Sequence, residues 1–380
     1  MSEIKVNSVK GVGATDAAIT INNSDGTCTA KLTNRQTKNL IGNGAMNISQ
    51  RGTSLTGTGY LIDRFRIATS GYDEFPTQAQ VDVAEGTTPF QAGFSKAARI
   101  TNGNQTGGAG ADDILTYMTK IEAQDMRLSG WNYKSSSSDI TLSFYVKSSV
   151  AQNFYFNLLT RDGTIQNYVM ETGVLVADTW TKVTKTISGN SNLTFDNDND
   201  EGFRVEWSLF RGTNLTGPRP LNAWAALDTS TRTPDSTATW YNTNDATFEL
   251  TGVQLEVGSI ATDYRHITPA IELEMCKRYF QKAGARHCGA TEGTTQFRIL
   301  TPLEPPMRAS PTVTVRSGGK FNTRYAGDTT ITNPTLSSPR AEARGVWTGI
   351  TTSGRTAGIP IYGRMLQGDL GDFLACDSEI

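Results

Sequence analysis

Between residues 246 and 264 the chain reads ATFELTGVQLEVGSIATDY, and its apolar residues change parity half-way along. Phe248 and Leu250 hold even positions; Val253, Leu255 and Val257 hold odd ones. Side chains of a strand alternate between faces with period two. Both sets therefore reach one core only if an extra residue is inserted between them. Gly252 stands at the switch, where a β-bulge costs least because glycine accepts a positive φ. The stretch predicts a long, bulged, central strand that ends at Gly258 and leads into Tyr264. Ahead of it the pattern predicts a β-sandwich that this strand closes. Behind it come a short helix and a smaller β-domain.

The segments that would supply that sandwich share the same period. In ITLSFYVKSS, Ile140, Leu142, Phe144 and Val146 fall on one face, and Thr141, Ser143, Tyr145 and Lys147 on the other, as in a half-buried strand. Phe154, Phe156 and Leu158 alternate up to Asp162-Gly163, a hairpin signal. TWTKVTKTIS predicts a strand with Trp180, Val183 and Ile187 in the core, and FRVEWSLFRG adds another. Leu40, Ile41, Met46, Phe94 and Ile100 are further core candidates, ILTYMTKIEA reads as a strand, and residues 123–128 read as a short helical turn. The 37 glycines, with abundant Thr, Ser and Asn, suit many short strands joined by turns. About eight or more strands are enough for a jelly roll. The fold class is mainly β.

Four regions follow. Residues 1–38 carry two short alternating runs with a hairpin signal at Asp25-Gly26, but too few apolar residues for a core of their own, so they read as a docking arm. Residues 39–267 form the sandwich. At Thr268-Pro269 an N-cap and a first-turn proline open a helix over 268–282, with Ile271, Met275 and Tyr279 four apart as its buried stripe and Gly284 as its stop. Residues 283–380 return to strands as a second β-domain, with two or three strands after TVTVRSGG.

Composition excludes several classes. With 35 basic and 37 acidic residues there is no electrostatic case for nucleic acid or a membrane surface, and no apolar run approaches the length of a membrane span. MSEIKVNSVKG lacks the apolar stretch of a signal peptide, so export by that route is not expected. Cys28, Cys276, Cys288 and Cys376 fit no zinc spacing and read as free buried thiols; His287 beside Cys288 has no evident orienting carboxylate. Glu122 with Asp125, or Glu171 with another carboxylate, lacks the fixed spacing that would mark an acid–base pair. Neither a catalytic residue nor a cofactor or metal is expected.

Three pieces carry a resemblance. ITLSFYVKSS, then TWTKVTKTIS, closed by LTGVQLEVGSIATDY, resemble the jelly-roll carbohydrate-binding modules, the closing piece most specifically. NLIGNGAMNISQRG opening the sandwich, LTGVQLEVG closing it, the following helix with CKRYFQ, and LEPPMRASPTVTV are similar to tail-fibre and related virion proteins of tailed bacteriophages, particularly marine ones. The resemblance covers roughly residues 1–315. It implies a non-enzymatic tail protein of the virion, assembled in the bacterial host cytoplasm, attached to other virion proteins through its N-terminal segment and binding host surface polysaccharide. It also implies a homotrimer. The alternatives are a purely structural virion component, such as a head decoration or tail adaptor, and, further off, a polysaccharide depolymerase.

Sugar sites stack aromatic faces on the C–H surface of the ring and satisfy its hydroxyls with amides and carboxylates. The loop from Arg211 to Tyr241 offers Trp224, Trp240 and Tyr241 with Asn222 and Asp228 nearby, and Asn242 just beyond; these are the candidate glycan ligands. The bland alternative is that each Trp plugs an end of the core. Asp196, Asp198 and Asp200 in FDNDNDEG alternate as calcium ligands do, but Gly202 and Trp207 break the EF-hand pattern, and a solvated turn is the simpler reading.

Overall fold

The computed structural model describes residues 39–283 without a break, together with parts of 6–30 and of 286–380. Near the N-terminus β1 (Ser8–Val9), β2 (Ile19–Ile21) and β3 (Cys28–Ala30) form a three-stranded sheet. Asp25 and Gly26, between the paired β2 and β3, lie outside the described residues. The sandwich follows, with β4 (Ser54–Thr56), β5 (Gly59–Tyr60), β6 (Phe65–Ser70), β7 (Thr77–Asp82), the short helix α1 (Thr88–Gln91), β8 (Lys96–Thr101) and β9 (Ile114–Glu122). After α2 (Ala123–Arg127) come β10 (Asp139–Ser148), β11 (Asn153–Thr160), β12 (Gln166–Val174), β13 (Thr181–Ser188), β14 (Glu201–Arg211), β15 (Trp224–Ala226) and β16 (Thr247–Val257). Six strands pair in the order β13-β10-β16-β8-β7-β4 and seven in the order β15-β12-β11-β14-β9-β6-β5, all antiparallel. This is a jelly-roll sandwich.

The bulge lies where the parity switch puts it. Tyr145 faces Thr251 and Ser143 faces Gln254, so Gly252 and Val253 together oppose Phe144 alone, and Gly252 sits at φ +65°. Phe248, Leu250, Val253 and Leu255 are all fully buried in one core as a result. On its other edge β16 pairs with β8 only from Thr247 to Leu250. The segment opening with Asn39 takes over the rest. Leu40 N–H donates to Leu255 O and Val253 N–H to Gly44 O (both 2.9 Å), while the Asn39 amide donates to Val253 O and its oxygen accepts from Leu255 N–H (both 3.0 Å). A Cβ on Gly44 would lie 2.0 Å from Val253 O, so only glycine permits this approach.

Between the sheets Phe144 meets Phe156 and Trp207 edge-on at 5.1 and 5.5 Å, and Phe65 stacks on Tyr117 at 5.6 Å. Each such ring removed from water contributes about 2–3 kcal/mol. Trp180 is a correction. Val183 and Ile187 enter the core, but Trp180 has the opposite parity, stays partly exposed on the outer face of the sheet, and has Lys147 Nζ 5.2 Å from its ring.

Helix α3 (Pro269–Lys277) starts at the expected proline, yet it buries a different face and ends early. Ile271 and Met275 are 57% and 46% exposed, while Glu272, Cys276 and Tyr279 are buried. The chain leaves the helix well before Gly284, because β17 (Phe280–Ala283) pairs with β26 (Leu374–Asp377). A tertiary partner for the backbone has overridden local helix preference. Arg278 and Tyr279 anchor the exit, both donating to the buried Glu122 carboxylate (2.7 Å each at the closest).

The remaining strands are β18 (Arg286–Glu292), β19 (Gln296–Pro302), β20 (Thr312–Val315), β21 (Lys320–Arg324), β22 (Asp328–Thr332), β23 (Leu336–Glu342), β24 (Gly345–Thr351) and β25 (Pro360–Arg364). More strands follow β20 than the expected two or three, since short Thr- and Ser-rich strands show little alternation. They form a three-stranded sheet, β17-β26-β20, and a seven-stranded one, β22-β21-β25-β18-β19-β24-β23. Leu303, Met307, Val346, Leu374 and Cys376 cluster apart from the sandwich core.

Candidate functional site

The aromatics proposed for sugar stacking are mostly spent on the core. Trp240 is fully buried, with its indole N–H donating to Thr247 O (3.0 Å) and its ring 6.3 Å from Phe154. Tyr241 is 1% exposed, stacks on Phe210 at 4.2 Å, and its hydroxyl donates to Asp113 (3.1 Å). Neither can stack on a ligand, which corrects that assignment. Trp224 is half-buried, packed 5.0 Å from Tyr168 with its N–H on Ser188 O (2.8 Å). Asn222 and Asp228 are exposed, the first in the left-handed region at φ +57°, the second accepting from Ser230 (2.9 Å from its N–H). None of the five lines a cavity described below.

The loop that carries them is a strap over the outer face of the seven-stranded sheet. Asn167 donates to Arg232 O (2.9 Å), and Arg232 pairs with Glu206 (3.2 Å), which also pairs with Arg204 and Arg211. Burial by itself would raise the Glu206 carboxyl; Arg211, Arg232 and Arg204 outweigh it and hold the group below the usual carboxylate range. Glu122, offered as one of an acid–base pair, is likewise held low despite burial by its bonds from Arg278, Tyr279 and Gln124. The Asp196–Asp200 turn is occupied by its own chain: Asp162 accepts from Asp196 N–H (3.0 Å) and Asp200 pairs with Arg308 (3.0 Å). Among the described residues no three His, Cys, Asp or Glu side chains are grouped to hold a metal. Cys276 and Cys376 are buried free thiols, whereas Cys28 is exposed, contrary to expectation. The side chains of His287 and Cys288 lie outside the described residues.

The other sheet carries an open depression. The outward residues of β10 and β16, with Lys182 of β13, floor a cavity of about 340 Å³. Ser143, Tyr145, Lys182 and Gly252 form its floor; Gln91, Ala92 and Phe94 form one wall and residues 262–266 the other. The second wall is held by outward groups of β16 itself. Buried Glu256 accepts from Thr262 N–H (2.9 Å) and hydroxyl (2.7 Å), and buried Gln254 accepts from Arg265 N–H (2.9 Å). Phe94, buried in the first wall, packs 5.7 Å from Tyr145, 4.8 Å from Tyr264 and 4.9 Å from His266. A Cβ on Gly252 would lie 2.7 Å from the Phe94 ring and 3.1 Å from Tyr145, so the bulge glycine also keeps these rings in place. Lys182 Nζ lies 5.8 Å from the centre of the Tyr145 ring, and Asp263 lines the same cavity. Burial, and then the Asp263 charge, push the Tyr145 phenol up, so it is a neutral hydroxyl at physiological pH.

Two half-buried rings, Tyr145 and Tyr264, beside an ammonium, a carboxylate, an amide and a hydroxyl match the chemistry expected of the 211–241 loop, on the opposite sheet. Two sequence signals pointed here: an aromatic, Tyr145, on the polar parity of an alternating strand, and Tyr264 with His266 just after the closing strand. Two further cavities of about 200 and 240 Å³ flank α3, both bordered by Asn39, Gly42 and Met275.

No protein-family model matches the chain, and no curated protein matches it. Among solved structures it is similar to the enzymatically active domain of tailspike protein 4 of bacteriophage CBA120, at 7% identity and a TM-score of 0.31, covering 58% of this chain and 21% of that one. The chain thus spans about a fifth of that domain's length. A family 4 carbohydrate-binding module matches at 15% identity and a TM-score of 0.26, over 57% of this chain and 98% of that one. A family 11 module from Clostridium thermocellum, in complex with a mixed-linked tetrasaccharide, matches at 10% and 0.27, over 55% and 96%.

Proposed function

We propose that this chain is a tail-fibre or tail-associated protein of a bacteriophage virion that binds host surface glycans without cleaving them. The observation that carries the glycan reading is the pocket on the six-stranded sheet, where the half-buried Tyr145 and Tyr264, packed on the buried Phe94, stand beside Lys182, Asp263 and Gln91. The virion assignment rests on the similarity of NLIGNGAMNISQRG, LTGVQLEVG and the CKRYFQ helix to tail proteins. In this reading the N-terminal segment attaches to other virion proteins and the assembled protein is a homotrimer, so several weak sites act together.

One observation favours the purely structural alternative. Val9 on the N-terminal sheet is 49% exposed, and Ile271 and Met275 are exposed on α3, surfaces suited to burial against neighbours in a particle. Binding of the purified, labelled protein to host cells, with and without competing surface polysaccharide, separates the two. Saturable binding removed by the polysaccharide, and lost in Tyr145→Ala, supports the receptor-binding reading. Absence of binding by a correctly assembled protein supports the structural one.

A further inference from the structure

We infer that the pocket takes a single neutral pyranose at the end or branch tip of a glycan, not an internal stretch of a chain. This rests on the glycan-binding reading and goes further by naming the class of ligand. Three features of the pocket carry it.

The first is closure. Its two walls are bridged where His266 Nε2 meets Ala92 O at 2.9 Å across 174 residues of sequence. A carbonyl only accepts, so the ring carries its proton on Nε2 and the bond is a tie between the walls. The Phe94 and Tyr264 rings, each 4.9 Å from His266 and 4.8 Å from one another, pack against that tie. A polysaccharide threading between the two walls would run into that tie. Lys182 lies on β13, the outermost strand of its sheet, so the rest of a glycan leaves past that edge.

The second is size. At about 340 Å³ the cavity is at the small end of the roughly 300–1,000 Å³ of small-molecule sites, room for one ring of about twelve heavy atoms and some water. The third is charge. Lys182 and Asp263 supply one cation and one anion, Gln91, Ser143, Tyr145 and Thr262 supply neutral donors and acceptors, and His266 Nε2 is engaged by Ala92 O. Both charged groups can serve hydroxyls, and neither sign dominates as an acidic or amino sugar would require. Tyr145 is half-buried with Lys182 Nζ 5.8 Å from its ring centre, so a sugar resting against that ring meets both.

The test is titration of the whole protein, by calorimetry and by ligand-observed NMR. The probes are methyl glycosides of glucose, galactose, mannose, rhamnose and N-acetylglucosamine, with methyl glucuronide as the acidic comparator. For each sugar that binds, the matching di- and tetrasaccharides follow. The expected result is millimolar binding of at least one neutral glycoside, changing less than about threefold from mono- to tetrasaccharide. Tyr145→Ala should lower that affinity at least tenfold and Tyr145→Trp restore it. His266→Ala, which removes the tie, should make affinity rise with chain length. Affinity that already rises tenfold with length in the unaltered protein overturns the inference, as does preference for the glucuronide or indifference to Tyr145→Ala. If cells are bound and surface polysaccharide competes, but no glycoside binds, the single-residue assignment fails while the glycan reading stands. If neither cells nor any saccharide are bound, both fail.

Discussion

Asp63 is a fully buried carboxyl whose environment works against its ionisation. It accepts from Gln50 and Arg51 (3.2 Å from Gln50 N–H and 3.4 Å from Arg51), yet burial outweighs these bonds and pushes it up to about 6. The folded chain therefore binds this proton more tightly than the unfolded chain, whose group titrates near 3.8. The contribution is complete below about pH 4, lost as pH rises to 6, and flat above, with a size on the order of 2–3 kcal/mol. Asp63→Asn should remove that slope. Urea midpoints between pH 4 and 7 would show the wild type falling relative to the variant; parallel profiles would refute the account. Glu206 has the opposite sign. Its carboxyl is held low by three arginines, so its stabilisation is present above the ordinary carboxylate range and is lost on acidification. Glu206→Gln leaves Arg211 buried without its counter-charge and should cost about 3–5 kcal/mol at neutral pH.

At the scale of elements, β16 and α3 respond to substitution in contrasting ways. Leu255 is fully buried next to the bulge, and Leu255→Ala should cost about 2–5 kcal/mol. Ile271 and Met275 looked like the buried stripe of α3 but face outward, so Ala at either should change stability of the isolated protein by under about 0.5 kcal/mol. Denaturant midpoints for the three variants test both halves; a large loss at Ile271 would mean the helix is covered in solution. Deleting Gly252 is the sharper probe of register. Without it, Phe248, Leu250, Val253 and Leu255 share one parity and Val253 alone opposes Phe144, so the chain should still fold, with a regular β16; failure to refold from urea would show that the bulge itself is required.

For the whole molecule, the segment after β26 ties the C-terminal sheets to the sandwich. Glu379 pairs with Arg64, which is 5% exposed, lies 3.3 Å from the centre of the Tyr279 ring and donates to Lys120 O (2.6 Å). Arg51 reaches Asp377 (3.0 Å), and Tyr60 hydroxyl donates to Ile380 O (2.9 Å). Glu379→Ala leaves the Arg64 guanidinium buried without its carboxylate, and the expected loss is about 3–5 kcal/mol in a urea titration. At the opposite end, Asn39 and Leu40 belong to the sandwich through β16, whereas the three-stranded sheet before them pairs within itself. Deleting residues 1–38 should leave a folded sandwich with native circular dichroism that no longer enters particles. An unfolded product would sink the docking-arm reading.

What the residues determined alone was local and periodic. The bulge at Gly252, the core positions of β10 and β16, the hairpin at Asp162-Gly163 and the start of α3 at Pro269 follow from strand alternation and backbone preference, which act over a few neighbours. The tertiary structure decided which aromatics are covered and which face a ligand. Trp240 and Tyr241 sit in a loop, and only the packing of Phe154, Phe210 and Asp113 against them makes them core. The early end of α3 was set by the pairing of β17 with β26, close to a hundred residues away. The pocket needs Phe94, Tyr145, Gly252 and His266 in one place, and no local period records that neighbourhood. Burial depends on what lies opposite, and the opposite residue is chosen by the fold.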